Sequence, residues 1–218
     1  EFQIGVGHTD FFRGLVQAAE LKEEEEQELI ELISNKNFFG VEELVDSLHL
    51  SLELQELFSM LGNLCMTDDM MCKAKKLSQN YPVILRALER LESLMQVLSC
   101  YHVEKYVSIE LGMLSSYHYY TGIIFAGYTF GSGEPIVKGG RYDNLMDYFG
   151  KHAPSIGFAV VTDQLLAALA RQKIDIAVEN NQTLIVYHRE QRQEAIWRAV
   201  SLREQNLGAA LVCWEDDK

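Results

Sequence analysis

The apolar residues of the chain follow two different spacings, and the change from one to the other predicts its main elements. Between residues 20 and 99 they recur every three or four positions, which is typical of amphipathic helices. The stripe over residues 84–98 predicts a long helix with Pro82 in its first turn. Thr67 is expected to cap the helix before it. We therefore expect a small helical subdomain in this region.

On both sides of the helical region the apolar residues alternate, which predicts strands. A short strand is expected over residues 2–7, followed by a helix that Asp10 caps. Every second residue over 103–113 is apolar except Lys105, which predicts one strand face. Residues 119–130 are rich in aromatic and β-branched types and predict another strand.

The strand over 119–130 is followed by turn residues 131–135 and by a third strand over 136–138. So short a link requires antiparallel pairing. A fourth strand is expected at Ser155–Val160, and Thr162 is expected to cap the helix after it. Together these elements predict an α+β fold, in which an antiparallel sheet is flanked by helices.

The pattern of the last part of the chain predicts a strand, then a helix, then a second strand. Strands are expected over 183–187 and 209–214, with a helix over 189–206 between them and Gly208 just beyond its end. This pattern predicts the opening of a β-α-β unit.

The domain organisation follows from these changes of pattern. Residues 1–19 hold the first strand and helix of the core, 20–99 the helical insertion, and 100–173 the antiparallel core. Residues 174–182 are a polar linker, and 183–218 begin an α/β domain. The chain lacks an initiator Met and opens inside a predicted strand, so we expect it to be a fragment of a longer protein.

Composition and charge narrow the class of protein. Of 218 residues 48% are hydrophobic, which excludes a disordered chain. No apolar run approaches the ~20 residues that cross a bilayer, and no signal peptide is evident, so no membrane partner is expected. The formal net charge is −13, and residues 20–61 hold twelve acids against two lysines. Such a surface repels nucleic acid, so no nucleic-acid partner is expected either.

The cysteines and histidines give little sign of metal or disulfide chemistry. Four cysteines are far apart and form no CxxC pair, which favours reduced thiols in a cytoplasmic protein and gives no zinc site. The six histidines form no HxxxH or HExxH pair. No metal and no cofactor is expected.

The densest cluster of candidate functional residues lies in segments 118–125, 138–143 and 155–159. Paired glycines let a ligand approach the backbone, and tyrosines supply a flat apolar wall with a hydroxyl group. The cluster predicts a cup for a small planar polar ligand such as an amino-acid side chain. The alternative is an ordinary sheet core in which Gly139 and Gly140 form a turn between strands.

These three segments resemble the catalytic core of histidyl-tRNA synthetases in their order and spacing. The resemblance implies a class II aminoacyl-tRNA synthetase-like fold, and it implies a histidine site in which tyrosines line the cup and glycines shape it. Within the same resemblance, residues 183–218 correspond to the start of an anticodon-binding-like domain. Arg141 would meet a ligand carboxylate or form an internal salt bridge. The residues assigned to histidine binding are Tyr119, Tyr120, Thr121, Gly122, Gly139, Gly140, Arg141 and Tyr142.

Two departures from that family concern the adenylation site. Where the family has an arginine before its tyrosine pair this chain has Ser115, and where the third class-defining motif has an arginine it has Gln164. Arginine neutralises phosphate and stacks on a ring face, so adenylation is expected to be lost. The resemblance therefore implies no catalytic residues. His118 replaces an aspartate of the family, and a structural role is expected for it.

A chain that keeps the histidine cup but has lost the adenylation site resembles the family of regulatory subunits of ATP phosphoribosyltransferase, the first enzyme of histidine biosynthesis. That resemblance implies a short-form catalytic subunit as partner, self-association as a dimer within a hetero-oligomer, and transmission of feedback inhibition by L-histidine. A divergent histidyl-tRNA synthetase and a synthetase-like module that senses tRNA remain as alternatives.

Overall fold

The structure is a computed structural model that describes residues 2–115, 119–176 and 182–214. It divides into two compact units, Glu1–Ile174 and Asp175–Lys218. The first unit holds seven α-helices among its described residues: α1 (Thr9–Ala18), α2 (Glu23–Ser34), α3 (Phe38–Ser47), α4 (Leu52–Ser59), α5 (Asp68–Leu77), α6 (Pro82–Cys100) and α7 (Thr162–Arg171). No described helix is both long and apolar enough to cross a bilayer.

Five strands of the first unit form one sheet within the described residues. Their bounds are β1 (Phe2–His8), β2 (Val107–Ile109), β3 (Ile123–Thr129), β4 (Val137–Tyr142) and β5 (Ser155–Val160). The order across the sheet is β2-β1-β3-β4-β5. Only β1 and β2 are parallel, and the other neighbours are antiparallel. The predicted α+β fold with an antiparallel sheet and flanking helices is confirmed.

The helices and the sheet share one hydrophobic core. Val6 of β1 belongs to the same buried cluster as Phe11 and Leu15 of α1 and Leu88 and Leu91 of α6. Burying a side chain of this size contributes about 1.5–3 kcal/mol relative to leaving it exposed. The predicted helical elements are present, whereas a separate helical subdomain with limits at 20 and 99 stays a prediction.

The two faces of the sheet differ in character. Residues paired in register share a face, and Gly5, Gly7, Gly140 and Gly157 lie on the same one. We call this side the glycine face. The opposite side carries Ile4, Val6 and Phe125, which pack against the helical core. The glycine face therefore leaves room for another segment or a ligand to lie close to the backbone.

The strand predicted over 103–113 is wrong in extent. A 3₁₀ turn occupies Glu104–Tyr106, and β2 has only three residues. After Ile109 the chain leaves the sheet edge, and at Gly112 it passes so close to the backbone carbonyl of Leu61 that a Cβ there would overlap it. Residues 110–115 consequently cross over the glycine face instead of extending β2.

Two predicted helix caps are wrong and two predicted helix starts are confirmed. His8, not Asp10, caps α1, and its Nδ1 accepts a hydrogen bond from the Asp10 amide at 3.1 Å. Thr162 is the first residue of α7 and makes no cap, since Val161 holds that position without a side-chain bond. Thr67 caps α5 by accepting from the Met70 amide, and Pro82 opens α6.

The second unit contains β6 (Gln182–His188), α8 (Arg192–Glu204) and β7 (Gly208–Trp214). The two strands are parallel, so the predicted β-α-β unit is confirmed. The helix is shorter than predicted, because a 3₁₀ turn precedes it and Asn206 takes a left-handed conformation with φ 59°. Gly208 is therefore the first residue of β7 and not the position that ends the helix.

Candidate functional site

Three predicted tyrosines meet at one end of the glycine face. The ring centroid of Tyr119 lies 4.6 Å from that of Tyr120 and 5.8 Å from that of Tyr142. The centroids of Tyr120 and Tyr142 lie 6.5 Å apart. Tyr120 is 8% exposed and Tyr119 37% exposed, so the cluster runs from the interior to the surface. Such tilted and edge-on pairs are the favourable geometries for aromatic rings.

Gly139 and Gly140 lie within β4, so the alternative in which they form a turn between strands is wrong. A Cβ at Gly140 would stand 2.8 Å from Cδ1 of Tyr120, and one at Gly139 would stand 2.5 Å from the carbonyl oxygen of Gly157. Both distances are too short for a real side chain, so the two glycines let neighbouring groups approach the strand backbone.

Thr121 and Arg141 are engaged with Asp143. The Thr121 hydroxyl donates to Oδ2 of Asp143 at 2.8 Å, and the Asp143 amide donates back to Oγ1 of Thr121 at 3.0 Å. Arg141 Nε donates to the other carboxylate oxygen at 2.9 Å. The internal salt bridge foreseen for Arg141 is therefore present. Gly122 lies beside it, with the position of a Cβ 3.2 Å from Arg141 Cδ.

These contacts join the two segments that carry Tyr120 and Tyr142. The Thr121 amide also donates to the Arg141 carbonyl oxygen at 2.9 Å, which ties the segment before β3 to the end of β4. The Arg141 side chain is 42% exposed, and an ion pair of this kind contributes about 0–1 kcal/mol. The ligand contacts of Thr121, Gly122 and Arg141 stay a prediction.

A cavity of about 320 Å³ opens between the glycine face and the helical region. Of the predicted site residues, Tyr120 and Gly139 line it. Its polar wall includes Lys36, Asn63, Glu110 and Tyr128. Small-molecule sites have volumes of about 300–1,000 Å³ with a few polar groups on an apolar wall, and this cavity falls at the lower end of that range.

Glu110 is the feature of this cavity that the sequence analysis missed. The Glu110 carboxylate lies over Gly5, where a Cβ would overlap it in its present position. Burial raises the pKa of Glu110 above its usual 4.5, while the Ser108 hydroxyl and Lys36 act to lower it. The signal was the alternation of Gly5 and Gly7 in a strand, which indicates that another segment crosses closely.

The same burial acts on Tyr128 in this cavity. Burial raises the pKa of the Tyr128 hydroxyl above its usual 10.0, and the charges of Glu110 and Glu134 raise it further. The phenol therefore stays protonated at neutral pH and can donate a hydrogen bond.

A smaller cavity of about 220 Å³ is also lined by Tyr120. Thr9, Arg13 and Gln27 line it, and Ser115 lines both cavities. Gln164 lies in the first turn of α7 and is half-buried. His118 falls outside the described residues. Among the described residues, no group of three His, Cys, Asp or Glu side chains is placed to hold a metal ion.

Comparison with known families gives one match over most of the chain. A family model described as histidyl-tRNA synthetase matches residues 1–165. The chain is 39% identical over 209 residues to the ATP phosphoribosyltransferase regulatory subunit of Acetivibrio thermocellus, covering 94% of this chain and 49% of that protein. It is 37% identical over 207 residues to the protein of the same name from Ruminiclostridium cellulolyticum, covering 95% and 49%. The chain thus spans about half the length of the curated relatives it matches.

Two solved structures share the fold. A crystal structure described as an ATP phosphoribosyltransferase regulatory subunit/histidyl-tRNA synthetase from Bacillus halodurans C superposes with a TM-score of 0.68 at 30% identity, covering 100% of this chain and 55% of that one. The histidyl-tRNA synthetase of Nostoc sp. PCC 7120 superposes with a TM-score of 0.67 at 21% identity, covering 100% and 54%. The second similarity bears on the fold alone.

Proposed function

The chain belongs to the histidyl-tRNA synthetase family, and from this premise we propose that it acts as a non-catalytic regulatory subunit of ATP phosphoribosyltransferase. In this role it activates a short-form catalytic subunit and senses L-histidine for feedback inhibition. The observation that carries the proposal is the identity of 39% and 37% to proteins named as that regulatory subunit.

The loss of catalysis is supported by the residue types at two positions. Formation of an aminoacyl-adenylate requires cations that neutralise the phosphates of ATP. Ser115 lines both cavities and Gln164 lies at the start of α7, and neither side chain carries a charge. Removing one charge-stabilising group from a transition state costs about 10²–10³ in rate, so two replacements favour a protein without synthetase activity.

Histidine binding is supported by the three tyrosines. Tyr119, Tyr120 and Tyr142 present ring faces and edges within 6.5 Å of one another. Imidazole is a flat ring with two nitrogens, so it stacks on such walls and exchanges hydrogen bonds with phenol groups. In this proposal the imidazole of histidine lies against the tyrosine rings, and its amino and carboxylate groups extend into the cavity that Tyr120 lines.

Feedback control requires that histidine binds two states of the assembly with different affinity. The Thr121–Asp143–Arg141 contacts join the tyrosine cluster to β4, and β4 is paired along its length with β5. Movement of a tyrosine on ligand binding would therefore be transmitted to the sheet. The catalytic subunit is the proposed partner, with self-association as a dimer in a cytoplasmic hetero-oligomer.

One second function is favoured by a specific observation. The matching family model is described as histidyl-tRNA synthetase, so a divergent synthetase is the alternative. Two assays on the full-length protein separate the two functions: calorimetric binding of L-histidine, and histidine-dependent exchange of pyrophosphate into ATP. The proposal expects binding without exchange. Exchange at a rate typical of a synthetase would overturn it, and the absence of histidine binding would remove the sensing role.

A further inference from the structure

A short network of hydrogen bonds centred on Asp143 lies beside the tyrosine cluster. Resting on the proposed function, we infer that Asp143 is a positioning residue of the histidine site. Through its contacts with Thr121 it fixes the spacing between the rings of Tyr120 and Tyr142, and it makes no contact with the ligand itself. The comparisons assign no role to this residue.

Asp143 and Thr121 are joined by two hydrogen bonds of opposite direction. The Thr121 hydroxyl donates to Oδ2 of Asp143 at 2.8 Å, and the Asp143 amide donates to that same hydroxyl at 3.0 Å. One hydroxyl therefore serves as donor and as acceptor to a single residue, which fixes its orientation. A hydrogen bond to a carboxylate is about twice as strong as one between neutral groups, so this pair resists separation.

The other carboxylate oxygen of Asp143 is held as well. Arg141 Nε donates to Oδ1 at 2.9 Å, and the carbonyl oxygen of Arg141 accepts from the Thr121 amide at 2.9 Å. Both carboxylate oxygens thus already accept a hydrogen bond from the protein. This arrangement favours an indirect role for Asp143 over a direct contact with the ligand.

The network joins the chain positions that adjoin the two rings. Tyr120 directly precedes Thr121, and Tyr142 stands between Arg141 and Asp143. The ring centroids of Tyr120 and Tyr142 lie 6.5 Å apart. A gap of about 0.5–1 Å forfeits roughly a quarter to a half of the attraction between two packed surfaces. A small shift between the two segments would therefore weaken the contacts of a flat ligand with both rings.

The test is calorimetric titration of L-histidine into variants of the full-length protein. Asp143→Asn keeps the shape of the side chain and removes its charge, and Thr121→Val keeps the shape and removes the hydroxyl. We expect each to weaken binding about 3- to 10-fold, which is the range of a partly lost aromatic contact. Thr121→Ser keeps the hydroxyl and should bind within about twofold of the wild type. The matched control is Asp147→Asn, at a 47% exposed side chain outside the network, with the same expectation.

A double-mutant cycle separates positioning from direct contact. Tyr142→Ala removes the ring that Asp143 positions, so Asp143→Asn added to that variant should change the histidine affinity less than about twofold. A loss as large as in the wild-type background would show that Asp143 contacts the ligand directly, and it would overturn the inference.

Other contrary results are distinguishable from a failure of the proposed function. If Asp143→Asn binds histidine as tightly as the wild type, or more tightly, the inference is overturned and the proposed function stands. No binding of histidine by the wild type would overturn both. If Asp143→Asn fails to fold, Thr121→Val and Thr121→Ser decide the question, and equal affinities of these two would overturn the inference.

Discussion

The ring of Tyr120 lies against the backbone of Gly140, and a Cβ at Gly140 would stand 2.8 Å from Cδ1 of that ring and 3.0 Å from the carbonyl oxygen of Ile123. Gly140→Ala must therefore displace the tyrosine or part β3 from β4. We expect a destabilisation of about 1–3 kcal/mol in denaturant unfolding and a weaker affinity for histidine. Gly133→Ala is the matched control, since no atom lies within 4 Å of its Cβ position. Equal stability of the two variants would contradict this packing.

The tyrosine cluster makes a direct prediction for ligand binding. Tyr142→Ala removes one wall of the cluster, and we expect about tenfold weaker binding of L-histidine, which corresponds to roughly 1.4 kcal/mol. Tyr120→Ala should weaken binding at least as much, because Tyr120 also lines the cavity. Tyr148→Ala, at a side chain that is 87% exposed, serves as the control. Calorimetric titration measures all three, and unchanged affinity in the first two would refute the assignment.

His8 predicts a pH dependence of stability. Burial lowers the pKa of His8 below its usual 6.5, against an opposing effect of Asp10, and the neutral ring accepts the hydrogen bond that caps α1. As the pH falls below 6.5, the unfolded chain takes up the proton before the folded one does. The contribution of His8 is thus complete above pH 6.5 and is lost as the pH falls through the folded-state pKa.

The comparison that isolates this effect is His8→Asn, which keeps a side-chain acceptor at the cap but does not titrate. The difference in the free energy of unfolding, wild type minus variant, should decrease from pH 7.5 to pH 5. Denaturant unfolding at several pH values measures it. A difference that stays constant or increases on acidification would show that His8 is not held in its neutral form.

The shared core predicts a strong effect of the helical region on the whole first unit. Leu88 of α6 is fully buried in the cluster that includes Val6 of the sheet. We expect Leu88→Ala to cost about 2–5 kcal/mol of unfolding free energy. Val97→Ala, in the same helix at 53% exposure, should stay within about 0.5 kcal/mol. Similar losses for the two variants would contradict the shared core.

The sequence predicted elements where local chemistry decides them. Pro82 and Thr67 mark helix starts, and the alternation over Ser155–Val160 matches β5 residue for residue. The sequence pattern did not predict contacts between segments that are distant along the chain. The Leu61 carbonyl lies against Gly112 just after β2 ends, and the ring of Tyr120 lies against Gly140 inside a strand.

The candidate site shows the same division. Tyr119, Tyr120 and Tyr142 could be grouped from the sequence because the first two are adjacent and the third follows the paired glycines. Glu110 could not be placed near them from the sequence, because its position in the cavity depends on how the chain crosses the glycine face after β2. The ligand contacts of the three tyrosines stay predictions.

The central claim is tested most directly by the rate of phosphoribosyl-ATP formation. A short-form catalytic subunit from the same organism is assayed with and without the full-length protein to which this chain corresponds, while L-histidine is titrated. The account predicts that the protein raises the rate and that histidine reverses the rise. A competent catalytic subunit whose rate does not respond to the folded protein would contradict it.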